Sequence, residues 1–479
     1  MNDIKEKTKN GLKWSSITEI VAKLILPITN MILARVLAPE EFGIAALATM
    51  VITFADMFTE AGFQKFIIQR DFADDDELNQ YANVAFISNI SVSLLLWIII
   101  IIFSSEIAAF VGNPGLGFFI SVSCAKLPLT SFTSIQMALY KRKFDFKTLF
   151  IRRLIGIFTP LIVTVPLAML GFSYWSIIMG QIVGELINAI ILTVFSQWKP
   201  CLYFSLKKLK SMISFSFWTF MEQFAVWLTG WVDVFIIGAF ATATEIGLYR
   251  TSLQMINAIF SLITSVTFPV LFSALSRLKN NDDEFKSYAL SFQRVVALFV
   301  VPLGFGIYIF DDFITYVLLG SQWSAAAPIL GLRSLSRVAT TLLTHYCGEM
   351  IRAKGKPFIT MLLQWGLVIV LVPTCYYTIQ ISFMHMVYGT AIIMVIISIV
   401  NTLVIARVVK GVIIKLYLNI IKPVVLSVFM CCLAIALQGI SNSFIWDFVS
   451  ILLCMCFYLF LLCLFSKKDI LFLKNQLRK

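Results

Sequence analysis

Charge is scarce in this chain and histidine scarcer. Of 479 residues, 13% are Asp, Glu, Lys or Arg, and only His345 and His385 are histidines. A soluble protein carries about 25% charged residues. No His/Asp or Ser/His constellation stands out, which weighs against a hydrolytic enzyme. None of the nine cysteines has CxxC spacing with a His partner, so neither zinc nor redox chemistry is indicated. Eight of them lie in apolar stretches, where a thiol packs as a small apolar group. No metal and no cofactor is therefore expected. A cleavable leader is not expected either: "MNDIKEKTKNGLKW" lacks a short apolar core followed by a small-residue site.

What fills the chain is apolar surface. Hydrophobic residues make up 59% of it, and the mean hydropathy is +0.90. The run "SNISVSLLLWIIIIIFSS" is too long and unbroken for a barrel strand. The chain reads as an all-α polytopic membrane protein with about fourteen spans. They fall at roughly 14–37, 42–66, 81–104, 115–139, 149–169, 173–196, 211–239, 246–275, 287–310, 325–351, 358–380, 383–406, 420–438 and 444–465.

Lys and Arg alternate along the connections. "KRKFDFK", "RAKGK" and both termini are basic, whereas "APEE", "EIAAFVGNP", "GFS", "ATATE", "DDFITYVLLGSQ", "QIS" and "GISNSFI" contain neither residue. The positive-inside rule then places both termini in the cytoplasm and makes the span number even. The net charge of +12 is thus a topology signal and not a nucleic-acid patch.

The stretch "RSLSRVATTLLTHYCGEMIR", Arg333–Arg352, is membrane-length but wet on one side. As one α-helix it puts Arg333, Arg337, His345, Glu349 and Arg352 within roughly 160°, with Ser334, Thr341 and Thr344 in the same sector. Other ionisable groups at similar depth are Lys23, Lys126, Arg250, Glu19, Asp56, Glu60, Glu222 and Asp233, and Asn30 shares the face of Glu19 and Lys23. Each could be half of an interhelical ion pair. As a set they point to a bundle interior or hydrated path. Lys23, Lys126, Arg333 and Arg337 would make that path cationic, as a phosphate-bearing ligand requires. Gly43, Gly230 and Pro27 suit either bending or close packing.

The chain also repeats. Trp14 matches Trp218 and Gly43 matches Gly247 at one offset of 204 residues. "QMALYKRKF" matches "EMIRAKGKP" at an offset of 213. The nine-residue difference is assigned to the longer segment "RLKNNDDEFKSY". Parallel six-span halves are a transporter architecture. The expected division is a six-helix lobe over 1–205, a second over 206–410, and two extra helices with a tail over 411–479. The two extra spans are expected to carry no intramembrane charge and so to lie at the lipid-facing periphery.

"ILARVLAPEEFGIAALATMVITFADMFTEAGFQKFIIQR", "QMALYKRKFDFKTLFIRR" and "FIIGAFATATEIGLYRTSLQM" resemble the polysaccharide repeat-unit flippases of the MATE-like transporter superfamily. The resemblance implies two pseudo-symmetric lobes in a V around a central cavity, working by alternating access. The implied substrate is an undecaprenyl-diphosphate-linked oligosaccharide crossing the bacterial cytoplasmic membrane. The implied partners are the lipid bilayer, a proton or sodium gradient, and polysaccharide polymerase and chain-length proteins. A multidrug exporter driven by protons or sodium is the alternative, with Glu19, Asp56, Glu222 and Asp233 as cation sites. The basic residues of the fourth and tenth spans count against organic cations.

Overall fold

The structure is a computed structural model that describes residues 21–23, 25–59, 62–143, 145–441 and 443–465. Among them every regular element is helical. The chain forms two compact units, Met1–Gly247 and Leu248–Lys479.

In the first unit, α1 (25–36) leads into α2 (Pro39–Thr59), α3 (Phe63–Gln69), α4 (Asp75–Ile102) and the short α5 (Ser104–Phe110). Then come α6 (Gly117–Ser123), α7 (Lys126–Arg142), α8 (Phe146–Thr159), α9 (Val165–Met169), α10 (Trp175–Phe195) and α11 (Leu206–Phe240). Helix α12 (Ala243–Arg277) begins in the first unit and continues into the second. The second unit adds α13 (Asp282–Ile309), α14 (Asp311–Leu318), α15 (Ala327–Ala339), α16 (Tyr346–Ala353), α17 (Pro357–Ile379) and α18 (Phe383–Val408). It ends with α19 (Ile413–Gln438) and α20 (Phe444–Phe465).

Twelve helices among the described residues are long and apolar enough to cross a membrane. Of the fourteen expected spans, 14–37 begins outside the described residues, and 325–351 is broken into pieces rich in polar groups.

The same caps build both units. Asp74 Oδ1 accepts the Glu77 amide at 2.7 Å, and Asn281 Oδ1 accepts the Glu284 amide at 3.3 Å. Each cap satisfies an amide that the first turn leaves free, and three acidic residues complement the helix dipole behind it. The helices so started, α4 and α13, are both 28 residues long. Each is followed by a short helix, α5 or α14, so "EIAAFVGNP" and "DDFITYVLLGSQ" are not plain loops. Glu106 in one, and Asp311 with Asp312 in the other, supply the first-turn negative charge that favours a helix start.

The caps also correct the repeat. Asp74 and Asn281 stand 207 residues apart, so only three of the nine extra residues accrue by the "RLKNNDDEFKSY" segment. The others enter later, in the region that holds a widened turn at Thr340–His345.

Within the first unit the repeat-related glycines meet. A Cβ on Gly43 would lie 1.8 Å from the Ala243 carbonyl oxygen, and one on Gly247 would lie 1.8 Å from that of Pro39. The two turns press backbone to backbone in a reciprocal contact that only glycine allows. Gly43 thus serves close packing. Gly230 has open space around it.

Helix α19 starts at Ile413, ahead of the 420 expected for its span. Lys415 therefore stands on the helix, Lys422 lies within the expected span itself, and α20 carries Asp447, so the two extra helices are not free of charge. They pack on α13 through Leu298, Leu426, Met430 and Tyr458. The Tyr458 hydroxyl donates to the Leu298 carbonyl at 3.0 Å.

Candidate functional site

The wet stretch is not one α-helix. It runs as α15, a π-helical segment Thr340–His345, and α16. A π turn leaves carbonyl oxygens without their usual partner. Here one neighbouring side chain meets a carbonyl, and two others brace the segment through the Thr344 hydroxyl. Fully buried Gln293 of α13 donates through Nε2 to the Leu342 carbonyl at 3.2 Å. Asn401 of α18 donates to Thr344 Oγ1 at 3.2 Å, and Ser398 shares a hydrogen bond with the same hydroxyl at 2.9 Å.

Ser334 and Thr341, expected on the wet sector, are fully buried. The Ser334 hydroxyl donates to the Gly304 carbonyl at 2.8 Å and so joins α15 to α13. There a Cβ on Gly304 would come within 2.2 Å of the Val338 side chain and 3.2 Å of the Ser334 carbonyl oxygen. Gly304→Ala is expected to lower the melting temperature of the purified protein, because overpacking costs about 1–3 kcal/mol. An unchanged melting curve would show that α13 and α15 can separate freely.

Arg333 is buried, 7% exposed, with its guanidinium 5.4 Å from the centre of the Tyr249 ring. Its Nη1 has no hydrogen-bond partner among the described residues. Arg337, one turn on, is half-buried, places Nη1 3.3 Å from His345 Nε2, and leaves Nε unsatisfied. His345 is exposed. Glu349 pairs with Arg352 and with neither of the other arginines. The outcome is two adjacent guanidinium groups with buried donors still open. A buried donor left unmade costs about 1–3 kcal/mol, so an anionic acceptor would be bound strongly there.

The first unit holds a smaller polar set. Lys126 Nζ lies 3.5 Å from Gln181 Oε1. Asp56 accepts the Thr130 hydroxyl at 2.8 Å. Asp233 is buried, and its Oδ1 accepts the Val234 amide at 2.8 Å. Lys23, and Asn30 on α1, are half-buried, as is Arg250 on α12 in the second unit. Glu19, Glu60 and the side chain of Glu222 lie outside the described residues.

Sequence reasoning missed the partners Thr130, Gln181, Tyr249 and Gln293. Trp227 is legible as a sugar contact, but sequence reasoning missed the phenylalanines that make it a patch: Phe54 lies 4.9 Å from Trp227 and Phe58 lies 5.0 Å from Phe220. The Trp227 indole donates to Thr53 Oγ1 at 3.2 Å. Phe54 and Phe58 sit one turn apart on α2, a pairing visible in the sequence as "TFADMF".

Residues 32–328 match the family described as polysaccharide biosynthesis protein. The succinoglycan biosynthesis transport protein ExoT of Rhizobium meliloti (strain 1021) is 26% identical over 334 residues, covering 70% of this chain and 66% of that protein. The teichuronic acid biosynthesis protein TuaB of Bacillus subtilis (strain 168) is 23% identical over 458 residues, 92% of this chain and 91% of that one. Among solved structures, the lipid II flippase MurJ in an inward closed conformation superposes with a TM-score of 0.76. That match has 15% identity and covers 95% of this chain and 99% of that one, and it shows a shared fold.

Proposed function

From its place in the polysaccharide biosynthesis protein family, to which this chain belongs, we propose that it flips lipid-diphosphate-linked oligosaccharides from the inner to the outer leaflet of a bacterial cytoplasmic membrane. The chain is a multi-pass membrane protein. The names of its relatives point to transport in surface polysaccharide synthesis. The observation that carries the substrate is the pair of arginines on α15. Arg333 Nη1 and Arg337 Nε are buried guanidinium donors that no side chain among the described residues fills. A diphosphate loses its hydration on entering the membrane, and guanidinium forks replace that hydration with charge-assisted hydrogen bonds. Lys126, in the first unit, is the second candidate cation. Phe54, Phe58 and Trp227 offer ring faces on which sugars can stack. The lipid tail stays in hydrocarbon while the polar head moves by alternating access, driven by a proton or sodium gradient. A polysaccharide polymerase and chain-length proteins act on the product.

Complementation tests this reading. A strain that lacks its own repeat-unit flippase and expresses this chain should regain surface polysaccharide and stop accumulating lipid-linked repeat units. Export of cationic dyes without any polysaccharide would instead identify a drug exporter. The orientation has its own test. Reporters fused to the C-terminus and within 311–322 should report opposite sides, with the C-terminus cytoplasmic. Signals from the same side would overturn the proposed topology.

A further inference from the structure

At the lysine- and arginine-rich end of the second unit, α13 and α19 enclose a cavity of about 410 Å³. Lys286, Arg294, Lys415 and Asn419 line it, and Asp283 is the acidic residue among its walls. A smaller cavity of about 190 Å³ shares Arg294, Leu418 and Asn419 with it and adds Lys422. The four cations form a column two levels deep. Lys286 and Arg294 are eight residues apart on α13, and Lys415 and Lys422 are seven apart on α19, a drop of about 10–12 Å.

The floor is built for this purpose. Asn419 Nδ2 donates to the Leu290 carbonyl at 2.8 Å and lies 3.3 Å from Gln293 Oε1. These bonds hold the two helices at a fixed spacing under the cations. Lys286 gives one donor to the Lys410 carbonyl at 3.1 Å, and Lys415 is exposed. The wall toward the bilayer is apolar: Leu418 borders both cavities and is 57% exposed, and Ile414 and Ile421 beside it are also exposed. The repeat supplies an internal comparison. At the offset of 207, the positions of Lys286 and Arg294 in α4 are Asn79 and Ile87. The cations occur on the copy that faces the extra helix.

We infer that the α13–α19 groove is a binding site for the phosphate headgroup of an anionic membrane phospholipid, with the acyl chains lying along Leu418 and Ile421. A bare anion would use the cations but not the apolar wall. A zwitterionic headgroup brings a positive ammonium group into a site that already holds four cations and one carboxylate. Basic pockets between membrane helices at the positive side recognise anionic lipids by this chemistry. The inference is independent of what the protein transports.

Native mass spectrometry of the full chain in detergent tests it, with phosphatidylglycerol and phosphatidylcholine of identical acyl chains as probes. The parent should bind phosphatidylglycerol about tenfold or more tightly than phosphatidylcholine. Arg294→Gln with Lys415→Gln should bring phosphatidylglycerol down to the phosphatidylcholine level, and Asp283→Asn should raise its affinity. Lys143→Gln with Lys199→Gln, equally basic positions of the first unit, should leave the preference intact. If the double variant at the groove elutes as aggregate, Lys415→Gln alone decides, since that side chain is exposed. Equal binding of the two lipids by the parent, or an undiminished preference in the groove variant, would overturn the inference. So would displacement of phosphatidylglycerol by millimolar inorganic phosphate, which would mark an anion site without a lipid.

Discussion

Replacing Gly43 with alanine is expected to remove most of the folded protein from the membrane. The added methyl group would sit 1.8 Å from the backbone oxygen of Ala243, and no rotamer can relieve that overlap. The two helices must part by more than an ångström. Reciprocal packing means that Gly247 then loses its fit against Pro39 as well. Overpacking costs about 1–3 kcal/mol, and occasionally more, where a side chain can yield. Here the obstacle is main chain on both sides, so about 3 kcal/mol is a lower expectation. Membrane abundance and the melting temperature in detergent are the measurements. Gly230→Ala is the matched control, because its methyl group meets nothing within 4 Å. A Gly43→Ala protein as abundant and as stable as the parent would show that the contact does not hold in the membrane.

Loss of the open donors on α15 should show in binding before it shows in folding. Arg337→Ala is expected to weaken binding of a lipid-diphosphate oligosaccharide about 10- to 150-fold, the range for one charge-assisted hydrogen bond. Arg337→Lys keeps the charge and loses the fork, so it should fall between. Arg333 needs a different substitution. Its guanidinium packs over Tyr249, and alanine would leave a hole there. Arg333→Met fills that space without donors, so it should fold like the parent and bind poorly. If these variants only held helices together, abundance would fall while binding per folded molecule stayed constant. Equal binding by all of them would remove the arginines from the substrate site.

The architecture was legible because a bilayer imposes few solutions. Long apolar runs and the alternation of Lys and Arg mark spans and sides whatever the tertiary contacts are. The repeat was visible at Trp14 and Gly43, but a clearer trace was overlooked: "DDELNQYA" at 75–82 and "DDEFKSYA" at 282–289. The candidate site was legible only as a set of residues. A helical wheel assumes 3.6 residues per turn, and the widened turn at Thr340–His345 breaks that phase for Thr341, whereas Ser334, ahead of the turn, is buried by its packing on Gly304 of α13. Partners such as Tyr249 for Arg333, or Thr130 for Asp56, come from distant sequence and have no periodic signal. Some loop cations also do more than set sides. Arg142 donates to the carbonyls of Ile67 and Arg70 at 2.9 and 2.7 Å, and Lys354 to that of Lys279 at 2.7 Å, closing a helix end in each unit.

The widened turn in the tenth span has a mechanical consequence. Most membrane helices are stiff rods, because bending one breaks backbone hydrogen bonds that nothing in hydrocarbon can replace. At Leu342 and Thr344 the span is instead secured from outside, by Gln293, Asn401 and Ser398. Each such bond contributes about 0.5–1.5 kcal/mol, within reach of thermal motion and of ligand binding. The rod therefore has one compliant joint, with Arg333 and Arg337 on one side of it and the Glu349–Arg352 pair on the other. A load on the arginines can tilt the upper segment without dragging the lower one, whose pull on the lysine- and arginine-rich end stays slack.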